Sequence, residues 1–191
     1  MVGMVSYGAY VPIWRIDRDE IAHAAGVRSM GGERTVASWG EDSLTMGVEA
    51  ALDCLQGWNP RDVDGVYFAT LSSPYKEKLA SSILACALDM KQDVRTIDFT
   101  SSARAGTLAM KAALDSVQSG GAKKILVVAS DNRKALPRSE FEQINGAGAA
   151  ALLVGQDNII AGLNGFSTIS NPIPGIWHRQ EDHFQEGLSL T

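Results

Sequence analysis

The residues best placed to do chemistry sit at one corner, Thr100-Ser101-Ser102-Ala103-Arg104. The corner joins a short strand-like run, DVRTIDF from Asp93, to the run AGTLAMKAALDSVQSGG, which closes at Gly120-Gly121. A strand that turns sharply into a helix can present one side chain at an amide-rich helix N-terminus. That end stabilises anions and acidifies thiols, so it suits a nucleophile. Here it carries two hydroxyls and a methyl group, and no cysteine. A serine nucleophile needs a base within hydrogen-bond reach and a donor pair for the oxyanion. No base is identifiable nearby, so Ser101 and Ser102 are weak candidates, read as bonding backbone groups at the corner.

Other groups have structural readings that outweigh chemical ones. Asn145-Gly146-Ala147-Gly148 has the composition of a phosphate cradle, but it enters a strand rather than a helix. His23 lies in EIAHAAG with no second ligand near, so it is expected to be solvated or locally bonded. Cys54 (ALDCL) and Cys86 (ILACAL) lie in apolar helical patterns and read as buried free thiols. Arg104 and Lys111 share a polar stripe with Asp115, where a buried ion pair is expected. Asp131 and Arg133 end an apolar run, in a loop-closing role. No metal site is evident.

The elements that must position these groups follow from periodicity. Val2 to Tyr10 reads as a strand, Asp17 to His23 as a short helix, and Gly26 to Gly40 as a loop. Glu41-Asp42-Ser43 caps an amphipathic helix whose core face is Leu44, Val48, Ala51, Leu52 and Leu55. Val63 to Thr70 reads as a buried strand, and Lys78 to Met90 as a helix of small residues. Val94 to Phe99 is the next strand, and the helix after the corner is apolar nearly all round, which predicts a buried central helix. Lys124 to Ser130 is a strand, Asp131 to Asn145 a polar connection, and Gly146 to Val154 a strand. Asn158 to Ser170 is a candidate for one more.

Strands alternating with helices give an α/β fold with a mainly parallel sheet. Ligands in such sheets bind beyond the strand C-terminal ends. Three corners therefore matter: Leu71 to Tyr75, Thr100 to Arg104, and Asp131 to Arg133. A half-domain over 1–156 is expected, with 157–191 as the start of a second half or a partner-packing tail.

Composition narrows the function. The 191 residues are 45% hydrophobic and 20% charged, with net charge −5. No basic run interleaved with aromatics suggests nucleic acid. No apolar stretch reaches the roughly 18 residues of a membrane span. The N-terminal MVGMVSYGAYVPIW lacks a basic lead and a cleavage site, so no signal peptide is expected there. Two cysteines and no disulfide pattern fit a cytoplasmic protein.

Five segments in order carry a resemblance: MVGMVSYGAYVPIWRIDRDEIA, WGEDSLTMGVEAAL, VDGVYFATLSSPY, SARAGTLAM and NGAGAAALLVG. Together they resemble the N-terminal half of 3-hydroxy-3-methylglutaryl-CoA synthase, in the archaeal and bacterial branch of the thiolase superfamily. The resemblance implies a thiolase-like fold: one βαβαβαββ half of a five-layered αβαβα domain. It implies dimers paired through the strand at 94–99. It implies an acyl-CoA condensation with a cysteine nucleophile, a glutamate acid/base and a histidine from the second half. In this sequence the position matching the cysteine is Ala103, and that matching the glutamate is Leu71. The histidine would fall beyond residue 191.

The same resemblance makes Asn145, Gly146 and Gly148 candidate substrate-binding residues that shape the cavity. It matches Trp177 and Arg179 to an entrance pair. It implies a coenzyme A thioester as candidate ligand, with no covalently bound cofactor. The implied partners are a second thiolase-fold chain or a zinc-ribbon/OB-fold acyl-CoA-binding protein. The reading is a subunit without its own nucleophile, acting as a structural or assembly partner in an acyl-CoA-processing complex. The alternatives are a condensing or cleaving acyltransferase completed by a second polypeptide, or a truncated piece of one.

Overall fold

The computed structural model describes residues 1–171 and 182–184. In chain order it contains β1 (Gly3–Tyr10), β2 (Trp14–Asp17), α1 (Arg18–Ala25), β3 (Glu33–Val36), α2 (Ser43–Cys54), β4 (Gly65–Ala69) and α3 (Ala80–Ala87). Then follow β5 (Arg95–Phe99), α4 (Ala105–Gln118), β6 (Ile125–Asn132), α5 (Phe141–Ile144), β7 (Ala147–Gly155) and β8 (Ala161–Gly162). The main sheet has the order β5-β4-β6-β7-β1-β8. β4 runs parallel to β5 and β6, while β7 is antiparallel to β6 and β1. β8 is antiparallel to β1. The sheet is therefore mixed, with β1, β4, β5 and β6 pointing one way, as an α/β fold requires.

Alternation along the strands divides the core in two. Val66 and Phe68 of β4 face α2 and α3, joined by Met46, Cys54, Leu84, Leu126, Val128 and Leu153. Tyr67 and Ala69 face the other way, against Ala105, Ala109, Ala113 and Val117 of α4. β4 is buried along its whole length, which explains its unbroken apolar sequence. Asp42 caps α2 in a reciprocal capping box with Thr45. α2 lies almost backbone to backbone on β1: a Cβ on Gly8 would meet Cys54 N at 2.3 Å and Ala50 O at 2.5 Å. The N-terminus of α3 is tied to the sheet by Asp98, whose carboxylate accepts from Ala80 N at 2.7 Å and Ser81 N at 2.8 Å.

Several expectations are corrected. The span 26–40 is not all loop, because β3 pairs with β2 in a two-stranded ribbon. Its sequence, Glu33-Arg34-Thr35-Val36, has no buried face and so shows no strand pattern. The connection 131–145 contains α5, and 158–170 contributes only the two-residue β8. Cys86 is exposed, whereas Cys54 is buried as expected. The central helix is buried on one face only: Ala105, Ala109, Ala113 and Val117 meet the sheet, but Leu108 remains 41% exposed. The Lys111–Asp115 pair forms at 2.6 Å, on the surface rather than buried, and Arg104 does not join it. Arg104 instead donates to Thr168 Oγ1 and Ile169 O, and Lys111 lies over the Phe166 ring.

On the α4 side the β1 half of the sheet has no helix over it among the described residues. Ser6 and Gly8 face α2, so Tyr7 and Ala9 face the opposite way, beside Leu152 and Ala150 of β7. Tyr7 is 65% exposed there. β5 is an outer strand with one edge unpaired among the described residues. Trp177 and Arg179 lie outside the described residues.

Candidate functional site

The three corners singled out from sequence converge. Beyond the C-terminal ends of β4 and β6, at the entrance to α4, lies a cleft of about 370 Å³. It is lined by Leu71 after β4, by Ser102 and Ala103 before α4, by Asp131 at the end of β6, and by Gly148 on β7. Its floor is made of small groups. An added Cβ on Gly106 would lie in ordinary contact with Ala129 Cβ, at 3.6 Å, where α4 packs on β6. Polar atoms at the wall come from Thr70, Ser102, Ser130 and Asp131, and no cysteine or histidine lines it among the described residues.

Asp131 organises this end of the sheet. Its Oδ1 accepts from Leu71 N at 2.7 Å, from Ser72 Oγ at 2.8 Å and from Thr70 Oγ1 at 3.0 Å. Ser72 Oγ in turn accepts from Asn132 N at 2.8 Å. One carboxylate oxygen thus pins the loop after β4 to the end of β6 and fixes Leu71 at the cleft. This is the loop-closing role expected for Asp131. Its weight was not visible in sequence, because its partners lie about sixty positions earlier.

The corner itself is tightly built. Ser101 adopts a left-handed φ of 66°, which reverses the chain between β5 and α4. Ser102 Oγ accepts from Arg104 N at 3.2 Å and Ser102 O accepts from Ala105 N at 2.9 Å, so Ser102 closes the helix entrance. Among the described residues Ser101 Oγ has only the Thr100 hydroxyl, at 3.4 Å. No imidazole or amine among them bonds either serine. The expected backbone-bonding role holds for Ser102 but not for Ser101, whose partner is the Thr100 side chain.

The other candidates separate. Gly148 lines the cleft, whereas Asn145 lines a different one with Arg133. Gly146 has a packing reason to be glycine, since a Cβ would meet Thr35 Oγ1 at 2.7 Å. Exposed His23 sits in the last turn of α1, away from both clefts. Burial pushes the Cys54 thiol up to about 11, so it is inert at neutral pH. Sequence reasoning missed Thr70 and Ser130 as lining residues, although both lie at strand ends where ligands are expected.

No family model matches the chain. Hydroxymethylglutaryl-CoA synthase of Pyrococcus horikoshii is 34% identical over 188 residues, covering 96% of this chain and 54% of that protein. The Thermococcus sibiricus enzyme of the same name is 35% identical, with the same coverage. The chain therefore spans about half the length of the curated relatives it matches. A crystal structure of an HMG-CoA synthase complexed with CoA superposes with a TM-score of 0.87 at 21% identity, covering 98% of this chain and 50% of that one.

Proposed function

Since the chain is hydroxymethylglutaryl-CoA synthase-like, of the thiolase superfamily, and spans about half of its relatives, we propose that it is a half-subunit without its own nucleophile. Its work is assembly: it completes an acyl-CoA-processing complex with a second chain. The observation that carries this reading is the side-chain inventory of the cleft. Where such a fold would place a thiol and a carboxylate, Ala103 supplies a methyl group and Leu71 an isobutyl group. Neither can attack a carbonyl or move a proton.

The assembly role is supported by what lies uncovered. Leu108 on α4 and Tyr7 on β1 are large, exposed and on one side of the sheet. Apolar surface of that kind marks a contact face. A second thiolase-fold half, bringing the other half of the relatives' length, is the occupant that fits. The open edge of β5, with Ile97 exposed, offers a second contact by strand pairing, in a homo- or hetero-oligomer. A zinc-ribbon/OB-fold acyl-CoA-binding protein is the other partner class. A coenzyme A thioester is the ligand proposed for the cleft, and no helix among the described residues is long and apolar enough to cross a membrane. The proposed location is the cytoplasm.

A second reading is favoured by the cleft being open and retaining one carboxylate, Asp131, whose Oδ2 has no bond among the described residues. In that reading the complex is a carbon–carbon condensing or cleaving acyltransferase, with the missing groups supplied by a second polypeptide or by the rest of a longer chain. Co-expression with a chain carrying the remaining half of such a fold, followed by size-exclusion chromatography and an acetyl-CoA condensation assay, tests both. A stable complex with this chain unacylated supports the assembly reading. A condensing complex supports the second. A monodisperse monomer that becomes acylated alone overturns both.

A further inference from the structure

A second cleft, of about 310 Å³, lies at the β3–β6–α5 junction, lined among others by Arg34, Arg133, Lys134, Glu142 and Phe184. We propose that it is a phosphate-binding site, in which Arg34, Arg133 and Lys134 hold the phosphate or diphosphate end of a small-molecule ligand. Three cations face a single carboxylate there. That carboxylate is partly committed, since Glu142 Oε2 accepts from Arg138 N at 2.8 Å. Arg133 and Lys134 have no hydrogen-bond or ion-pair partner among the described residues. Arg34 donates through Nη1 to Asn145 O at 2.9 Å, but its Nε–H is buried with no acceptor among the described residues.

A buried donor without an acceptor is costly, and like charges gathered in a half-closed space repel. Burial already draws the Arg34 guanidinium below its usual value; nearby Glu142 partly opposes this and Arg18 adds to it. An oxyanion would satisfy the orphaned Nε–H and offset the repulsion together. Arginine forks match phosphate geometry, and lysine adds a point charge at the rim. Phe184 gives one wall an aromatic face against which a flat ring could rest. None of this depends on acyl chemistry in the first cleft.

The test is isothermal titration of the full chain with inorganic diphosphate at low salt, and separately with coenzyme A. Wild type is expected to bind diphosphate saturably, with weakening as salt rises. The Arg133→Glu/Lys134→Glu variant, altered only at the rim, is expected to fold normally by circular dichroism and to bind at least about tenfold more weakly. If coenzyme A binding falls in parallel, the phosphate belongs to that ligand. If only diphosphate binding falls, the site serves a separate phosphorylated molecule. Undetectable diphosphate binding by wild type, or equal affinity in the folded variant, overturns the proposal.

Discussion

Replacing Asp131 tests how the first cleft is held together. Its Oδ1 accepts three hydrogen bonds, from Leu71 N, Thr70 Oγ1 and Ser72 Oγ, and Thr70 is only 2% exposed. Asp131→Ala removes the acceptor for all three donors. The two hydroxyls can turn to other acceptors, but the Leu71 N–H cannot, and a stranded donor costs about 1–3 kcal/mol. Adding part of the lost charge-assisted strength gives about 3 kcal/mol in all. For a chain of this length that lowers Tm by about 6–12 °C. Asp131→Asn keeps an oxygen in place and loses only the charge, so about 1 kcal/mol is expected. Urea denaturation followed by circular dichroism measures both. An alanine variant within about 0.5 kcal/mol of wild type, the range of an ordinary surface change, would refute the anchoring role. So would an asparagine variant as damaged as alanine.

Other outcomes follow from the same geometry. Asp98→Ala frees the first amides of α3 and is expected to cost about 1–2 kcal/mol, with Asp98→Asn milder, read by thermal melts. With its pKa raised to about 11, Cys54 is protonated in the folded chain where the unfolded thiol ionises. Stability should therefore fall by about 1.4 kcal/mol per pH unit between roughly 9 and 11, and Cys54→Ala should abolish that slope. At pH 8, iodoacetamide should label Cys86 and spare Cys54, as peptide mass spectrometry will report. Leu108→Glu should leave the isolated chain within about 0.5 kcal/mol of wild type, because the residue is exposed, yet abolish complex formation with a second half-domain in size-exclusion chromatography.

Much of the fold was legible because its strands and helices announce themselves through period and punctuation. The apolar run of β4, the capping signal at Asp42 and the double glycine after α4 each marked an element. Convergence of Leu71, Ala103 and Asp131 followed from the rule that ligands bind beyond strand C-termini. The β2–β3 ribbon was not legible, since its pairing buries no face. The exposure of α4 was misread because an all-round apolar helix presupposes a layer on each side, and the described residues supply only one. Cys86 was misread for a related reason: its helix is apolar in composition, but its outer face meets water. The cationic cleft was invisible because Arg34 and Arg133 lie about a hundred positions apart.

A half-subunit without its own nucleophile cannot form a covalent acyl bond at the first cleft. Intact-mass and peptide mass spectrometry after incubation with acetyl-CoA, on wild type and on Ala103→Cys, address this directly. Wild type is expected to stay unmodified at the corner, while the thiol introduced at the helix entrance gains an acetyl group. Acetylation of Ser101 or Ser102 in the wild-type chain would contradict the claim that this polypeptide lacks a nucleophile.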